Sequence, residues 1–516
     1  MSQASAPQHL SQTSVPRSAR WLADHRWLYV IPVLLPLSKA YAVAGALSSR
    51  LLRRRTGELR RHRRRVARMQ ARVRERARRG GGGLISTARP QWRSMSPSRT
   101  TSYKDGAFLV PAKLDGILQV DTERRTVTVG PAVTMGRLTA ALPRGWTLPV
   151  VPELEDLTVG GLIMGYGIET SSHRYGLFAD NVESCEVLLA DGEVVVADRT
   201  HRTDLFHALP WSRGTLGLLT SVQLRMVPAH PWVRLSYHRL GSAAALTECI
   251  ASYSSGPHPP DFVEGFHFSP TEGVVVTGTL VDRPHARDGV INRMGRWYKP
   301  WFHEHARTQC RLRRNTEYVP LRDFYFRHSR SIYWAAEMLA PSTKHPLFRY
   351  ALGWLMPPKI AFLKRSETPG IRRLYLQATA TQEALVPVRA LPEAIEKCRE
   401  AFHVDRMWLC PVTLRPSEPG GMVSPGTPDG LYIDIAVVFE TPEPVRRGLP
   451  WDARQATRTF EAWLLDNGGF QVPYVATHMT REEFWSMFDG RPYFAARKKY
   501  GAEGSFLDIY DKAGCN

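Results

Sequence analysis

Residues 152–176, PELEDLTVGGLIMGYGIETSSHRYG, set the tightest limit on what this chain can fold into. Five glycines in 25 residues leave long stretches of backbone bare, as a chain needs where something lies flat against it. The two common phosphate loops do not fit. A dinucleotide turn of the form G-x-G-x-x-G/A follows a buried strand, whereas the acidic PELEDL precedes this one and Thr170 stands in the third glycine's place. No G-K-S or G-K-T follows, which excludes a Walker loop. The stretch is then either a tight packing turn or another kind of cradle. In the second reading Thr158 caps a short helix, and Gly160 and Gly161 leave its first amides open to a diphosphate. Glu153, Glu155 and Asp156 would repel that anion and are expected to point away.

The flanks support the cradle. Upstream, Val127 and Val129 alternate as in a strand, and residues 135–142 carry helical spacing. Downstream, NVESCEVLLADGEVVVAD reads as a hairpin turned at Asp191-Gly192, and residues 203–229 as a short helix, a glycine-spaced turn and a further strand. A chain of 516 residues is long enough for two or three such units. The six cysteines are scattered without a C-x-x-C pair, which argues against zinc knuckles and iron–sulfur sites. No metal site is expected. HEH at residues 303–305 is read as alternation on a surface strand or turn.

Residues 27–47, WLYVIPVLLPLSKAYAVAGAL, are long enough to cross a bilayer, although Lys39 and two prolines also admit an interfacial segment. A signal peptide competes, with AVA as a cleavage site. The arginine block that follows favours an anchor, because such charge stays on the cytoplasmic side. Fifteen arginines against Glu58 and Glu75 between positions 50 and 79 supply thirteen of the 21 net positive charges. The basicity is local and does not describe a nucleic-acid-binding protein. Within the block Leu52, Leu59, Val66 and Val73, with Met69, share one helical stripe. The stripe is expected either to lie on anionic lipid or to belong to a solvated linker helix or short coiled coil. GGGG at residues 80–83 ends it.

In order along the chain, the glycine-spaced run at 130–138, TVGG at 158–161, RYG at 174–176, ADG at 190–192 and DLF at 204–206 resemble the FAD-binding domain of vanillyl-alcohol-oxidase-like (PCMH-type) flavoproteins. The likeness extends further. WTLPVVPELEDLTVGGLIMGYGIETSSHRYGLF, NRMGRWYKPWF, EYVPLRDFYFRHSRSIYWAAE, FRYALGWLMPPKI, MWLCP, LYIDIA and REEFWSMFDGRPYFAARKKYG together resemble the sterol Δ24-reductase family of diminuto/seladin type. That resemblance implies an α+β chain with the following organisation. Residues 1–48 hold the membrane segment and 49–83 the basic amphipathic helix and glycine linker. Residues 84–232 form a two-subdomain FAD-binding domain, 233–480 an α+β substrate cap, and 481–516 return to the FAD domain. It also implies FAD, NADPH as reductant, a sterol substrate, and a membrane-associated body on the cytoplasmic side.

By the same resemblance Thr158, Val159, Gly160, Gly161, Leu162, Ile163, Met164, Gly165, Tyr166, Gly167, Ile168, Glu169 and Thr170 form the flavin-binding stretch. Arg174 and Gly176 close the turn after it, and Arg89 in an R-P-x-W step neutralises the diphosphate. TARPQWRSMSPSRTTSYKDG has no histidine, so FAD is expected to be held without a covalent link. Reduction of an isolated alkene calls for a hydride to carbon-25 and a proton to carbon-24 from a general acid in a dry pocket. Tyr474, His328 and Lys299 are the candidates for that acid, with His478 and Tyr325 behind them. Tyr474 is favoured because its segment should turn back toward the flavin. Reduction of another lipid alkene, such as a methylene-branched acyl chain or an isoprenoid, and an alcohol or sugar-lactone oxidase on the same fold are the alternatives. A non-enzymatic membrane scaffold that keeps the fold is a third.

Overall fold

The computed structural model describes residues 21, 25–53, 57–90, 93–94, 102–285, 287–313, 315–338, 341–359, 363–364, 368–416, 421–423 and 430–513. Trp92 of the R-P-x-W step, Arg54, Arg55 and Cys515 lie outside them, as does the side chain of Leu52.

The apolar segment begins as a short helix at Trp27–Tyr29 and passes through a π-helical turn at Val30–Leu34 into helix α1 (Leu35–Arg53). Pro32 lies in the π-helical turn, where its missing N–H breaks the regular ladder. Trp27–Gly45 is long and apolar enough to cross a membrane. One side of it is nevertheless tied to the protein body. Val30 and Leu35 are buried with Trp301, Ala336, Phe348, Leu355 and Met356.

Helix α2 (Glu58–Arg78) corrects the reading of the basic block. Val66, Met69 and Val73 do share a stripe, but it faces neither lipid nor water. They are buried with Ile85, Val110, Leu114, Leu188, Ala190, Leu218, Ala502 and Phe506. The apolar stripe closes a protein core because the neighbouring strands offer it an apolar face, which is worth more than exposure. Arg60, Arg63, Arg64, Arg68 and Arg78 stay exposed, as does Leu59. What remains for an anionic surface is the arginine face alone. Arg76 folds inward instead, donating to the carbonyls of Gly81 and Gly83 at 2.7 Å, and ends the helix.

Among the described residues nine strands precede residue 229: β1 (Ile85–Thr87), β2 (Phe108–Val110), β3 (Ile117–Asp121), β4 (Thr126–Val129), β5 (Trp146–Thr147), β6 (Val182–Leu188), β7 (Val194–Asp198), β8 (Leu218–Arg225) and β9 (Val227–Pro228). β1 and β2 pair in parallel, and five others form a sheet in the order β3-β4-β8-β6-β7. The β6–β7 hairpin turns where expected, with Gly192 at φ +86°. The longest of these strands alternates buried and half-buried positions along much of its length, one face to the core and one toward solvent. Between β5 and β6 lies the glycine stretch, whose only α-helix before Ser172 is α3 (Val159–Met164).

A second, nine-stranded sheet follows from β10 (Trp232–Leu240), β11 (Phe262–Ser269), β12 (Glu272–Val281), β13 (Val290–Ile291), β14 (Thr316–Pro320), β15 (Ala380–Pro387), β16 (Met407–Thr413), β17 (Leu431–Glu440) and β18 (Phe470–Gln471). Its order is β13-β14-β10-β12-β11-β16-β17-β15-β18. Helix α4 (Phe302–Gln309) carries HEH, which is therefore on neither a surface strand nor a turn: His303 is buried and His305 contacts Glu317 at 2.7 Å. Helix α5 (Pro346–Leu352) follows, with proline in its first turn.

The two sheets meet over a buried ion cluster. Arg327 donates to Glu169 at 2.7 Å and to Glu264 at 2.8 and 2.9 Å, all three side chains 0–1% exposed. The last described segment packs against the first sheet's side, where Arg497 donates to the Thr215 carbonyl at 2.7 Å. The architecture is α+β.

Candidate active site

A cavity of about 1230 Å³ lies between the two sheets. One wall is the glycine stretch. Thr158, Gly160, Gly161, Leu162, Met164, Gly165, Tyr166, Gly167 and Ile168 all line it. Val159 and Ile163 turn to the core, and Glu169 and Thr170 are buried behind the wall. Arg174 pairs with Asp261, and Gly176 takes φ +71° against the Asp180 carboxylate, so both shape the turn away from the cavity. The glycines divide by role. A Cβ on Gly160 would stand 2.7 Å from the Pro131 Cβ, and one on Gly167 2.8 Å from the Phe178 Cβ. Those two permit packing. At Gly161 a Cβ would meet only the Thr158 Oγ1, at 3.1 Å, and Gly161 is exposed along the cavity. That position is a bare cradle.

Cations gather at this wall. Arg89 donates to Thr158 Oγ1 at 3.3 Å, so the Thr158 side chain takes a guanidinium where a helix cap was expected. Lys104 donates to the carbonyls of Thr87 and Arg89 at 2.8 and 2.7 Å. Burial, with the Arg89 charge beside it, lowers the Lys104 ammonium to about 8. Arg213 and Lys512 line the same cavity, Lys512 donating to the Arg213 carbonyl at 2.6 Å. Bare backbone beside four cations suits a flavin diphosphate. Of the three acids before the wall, Glu155 pairs with Arg322 and Asp156 with Lys359. Glu153 does face the cavity, contrary to expectation. Burial, then the neighbouring Glu169 charge, raise its carboxyl well above the usual range.

Elsewhere the cavity wall is acidic, with carboxyls that burial holds above their usual range. Tyr474 donates its hydroxyl to Glu383, and its ring lies 6.2 Å from that of Tyr166. Burial pushes Glu383 up to about 7. Asp434, wholly buried on β17, is raised well above the carboxylate range by burial and by Glu383. Burial, then these carboxyls, raise both tyrosines well above their usual value. Tyr166, Glu383 and Tyr474 face an apolar chamber that Tyr333, Trp408, Val437 and Phe402 also line, with Asp434 buried behind them. Sequence reading named Tyr474 and missed Glu383 and Asp434. Both carried a signal: Glu383 directly precedes the apolar ALVP of its strand, and Asp434 interrupts the apolar run LYI-IAVVF of its own.

The other candidate acids fall elsewhere. His478 lines the cavity, and burial and Arg454 lower its imidazole. His328 lies off the wall, 3.2 Å from Glu264 and stacked on Tyr333 at 4.2 Å, and burial lowers it to about 4. Lys299 sits on a loop outside the cavity, where its carbonyl accepts from Arg330. Tyr325 shares a hydrogen bond with Thr147 at 2.8 Å. His303, Glu304 and Glu337 bring ligand atoms within 4.8 Å of one another. Glu337 is already held by Arg406 at 3.0 and 3.2 Å, which neutralises the charge a metal would need.

Comparison with known proteins agrees with this geometry. Residues 83–198 match the FAD binding domain family. The chain is 40% identical over 493 residues to the Delta(24)-sterol reductase of Homo sapiens, covering 95% of this chain and 94% of that one. It is 38% identical over 519 residues to the Delta(24)-sterol reductase of Arabidopsis thaliana, covering 96% and 92%. The L-gulonolactone oxidase of Mus musculus is 31% identical over 134 residues, 26% of this chain and 30% of its own. Likeness to the oxidase is confined to a part; likeness to the reductases spans the whole.

Proposed function

Since the chain belongs to the Delta(24)-sterol reductase family, we propose that it saturates the carbon-24/carbon-25 double bond of a sterol side chain, with FAD bound and NADPH as electron donor. The observation that carries this reading is one cavity with two chemistries: a bare glycine wall beside cations, and a hydrogen-bonded tyrosine–carboxyl pair beside an apolar chamber.

Gly160, Gly161 and their neighbours would hold the FAD, with Arg89 and Lys104 toward its diphosphate. FAD bound there would supply the hydride. The remaining work belongs to the protein. Tyr333, Trp408 and Phe402 exclude water from the alkene. Tyr474 delivers the proton to carbon-24, and Glu383, in contact with its hydroxyl, restores that proton. Helix Trp27–Gly45 anchors the chain, and the arginines of α2 hold the body on the cytoplasmic side.

The test is anaerobic. Purified protein carrying FAD is bleached with NADPH and then mixed with desmosterol. The expected result is return of the oxidised flavin spectrum with one equivalent of the saturated sterol. Reoxidation by an isoprenoid or methylene-branched lipid and not by the sterol would assign another alkene. Rapid oxygen consumption with polar alcohols, without NADPH-dependent turnover, would overturn the reductase reading.

A further inference from the structure

An exposed aromatic and aliphatic face lies outside the cavity and plays no part in the chemistry above. On α5 Leu347 and Tyr350 are 72% and 60% exposed, and Trp354 in the following turn is 49% exposed. Trp297 joins them, its ring 6.4 Å from that of Tyr350, and Tyr298 stacks on Tyr350 at 5.8 Å. The opposite side of these elements packs inward. Phe348 and Leu355 bury themselves against Val30 and Leu35 of the apolar N-terminal segment. Polar contacts fix the join: Lys359 N–H donates to Ser38 Oγ at 2.6 Å, and Arg26 donates to the Leu363 carbonyl at 2.8 Å and the Tyr375 hydroxyl at 3.0 Å. The elements that carry the face are thus packed directly on the candidate span.

The sequence around it favours cations. Residues 338–366 contain no Asp or Glu and five Lys or Arg, of which Lys344 and Lys359 meet Glu337 and Asp156 from outside that stretch, and residues 292–303 contain Arg293, Arg296 and Lys299 without an acid. Surfaces in water mix both signs, whereas cations beside tryptophan and tyrosine suit the headgroup layer of an anionic bilayer. A second copy of the chain is a poorer occupant, since a two-fold contact would bring identical cationic faces together. The cavity wall also reaches this join, through Arg26, Met356, Leu363 and Tyr375.

We propose that the face bearing Trp297, Leu347, Tyr350 and Trp354 beds in the interfacial layer of the bilayer that takes the apolar helix, and that substrate passes from that bilayer into the cavity between Arg26, Met356, Leu363 and Tyr375. The access route rests on the lipid-alkene reading above; the membrane bed does not.

Two arms test it. The full chain, with Cys249 and Cys515 replaced by serine, is given a polarity-sensitive fluorophore at Leu347→Cys, Tyr350→Cys or, as control, Val196→Cys. It is then reconstituted into phosphatidylcholine–phosphatidylserine vesicles carrying a shallow lipid quencher. Blue-shifted, quenched emission at 347 and 350 and neither change at 196 is expected. Aqueous spectra at 347 and 350 in vesicle-bound protein would overturn the bed. So would a shift that occurs in detergent without lipid and grows with protein concentration, which marks self-association. In the second arm Leu347→Asp with Tyr350→Asp should slow turnover of vesicle-embedded desmosterol about tenfold while leaving detergent-delivered desmosterol within about twofold. Equal rates for variant and parent in vesicles, or equal losses in both media, would overturn the access route. A parent chain inactive in both media would overturn the functional reading and the route together, with the labels still deciding the bed.

Discussion

Glu383 and Tyr474 set how the reaction should respond to pH. Burial raises the Glu383 carboxyl to about 7, so the folded protein holds its proton further up the pH scale than an exposed glutamate would. If the protonated pair feeds the alkene, flavin reoxidation by sterol should be flat below about pH 7. It should then fall about tenfold per unit above that. Glu383→Gln keeps a hydrogen-bonding group but no transferable proton; it should remove the limb and lower the plateau by about 100-fold. Stopped-flow measurement across pH 5–9 reads both. Tyr474→Phe should slow the same step by about 100-fold while leaving bleaching by NADPH unchanged, and equal rates would remove Tyr474 from the mechanism. Single residues were the hardest scale to read from sequence. Tyr474 could be singled out because its segment was expected near the flavin, but Glu383 becomes chemical only when Tyr474, 91 residues later in the chain, is folded beside it. Glu169, assigned to the flavin stretch, is bound instead to Arg327, a partner that local pattern cannot reveal.

At the level of elements the glycine stretch could be read as a packing turn or a cradle once two familiar loops had failed, and the structure lays its backbone along a cavity. What the residues could not disclose is which glycines serve packing and which serve a ligand. Gly161 is the informative position, since side-chain atoms there project along the cavity and meet only Thr158. Gly161→Leu should weaken FAD binding by more than about tenfold while the apo-protein melts within a few degrees of the parent. Flavin fluorescence titration and a thermal melt check the pair of outcomes. Helix α2 carries the opposite lesson. Its spacing was read correctly as an amphipathic stripe, yet periodicity states that a face is apolar and leaves open what covers it. Residues from distant strands and from the chain's last stretch supplied the cover.

Across the whole molecule, the β6–β7 hairpin followed from alternation and an Asp-Gly turn and the α+β class from the family resemblance, while the order of the nine-stranded sheet followed from neither. Pairing β11 with β16 joins residues more than a hundred apart, and nothing local marks that choice. The join between the sheets depends on Arg327, whose loss would strand Glu169 and Glu264 without a counter-charge. Arg327→Met should cost about 3–5 kcal/mol of stability, read as a lower denaturant midpoint. An unchanged midpoint would show that the two carboxyls simply take up protons.

The core beneath α2 has a consequence for synthesis. Its stripe is complete only when Ala502 and Phe506 arrive, roughly 430 residues after Val73 leaves the ribosome. At about 5–20 residues per second the apolar helix ahead of it has tens of seconds to find a bilayer while this stripe is still uncovered. Insertion should therefore precede closure of the fold. A chain stopped before Ala502 should reach the membrane but remain protease-sensitive around α2, a defect visible by limited proteolysis of the membrane fraction.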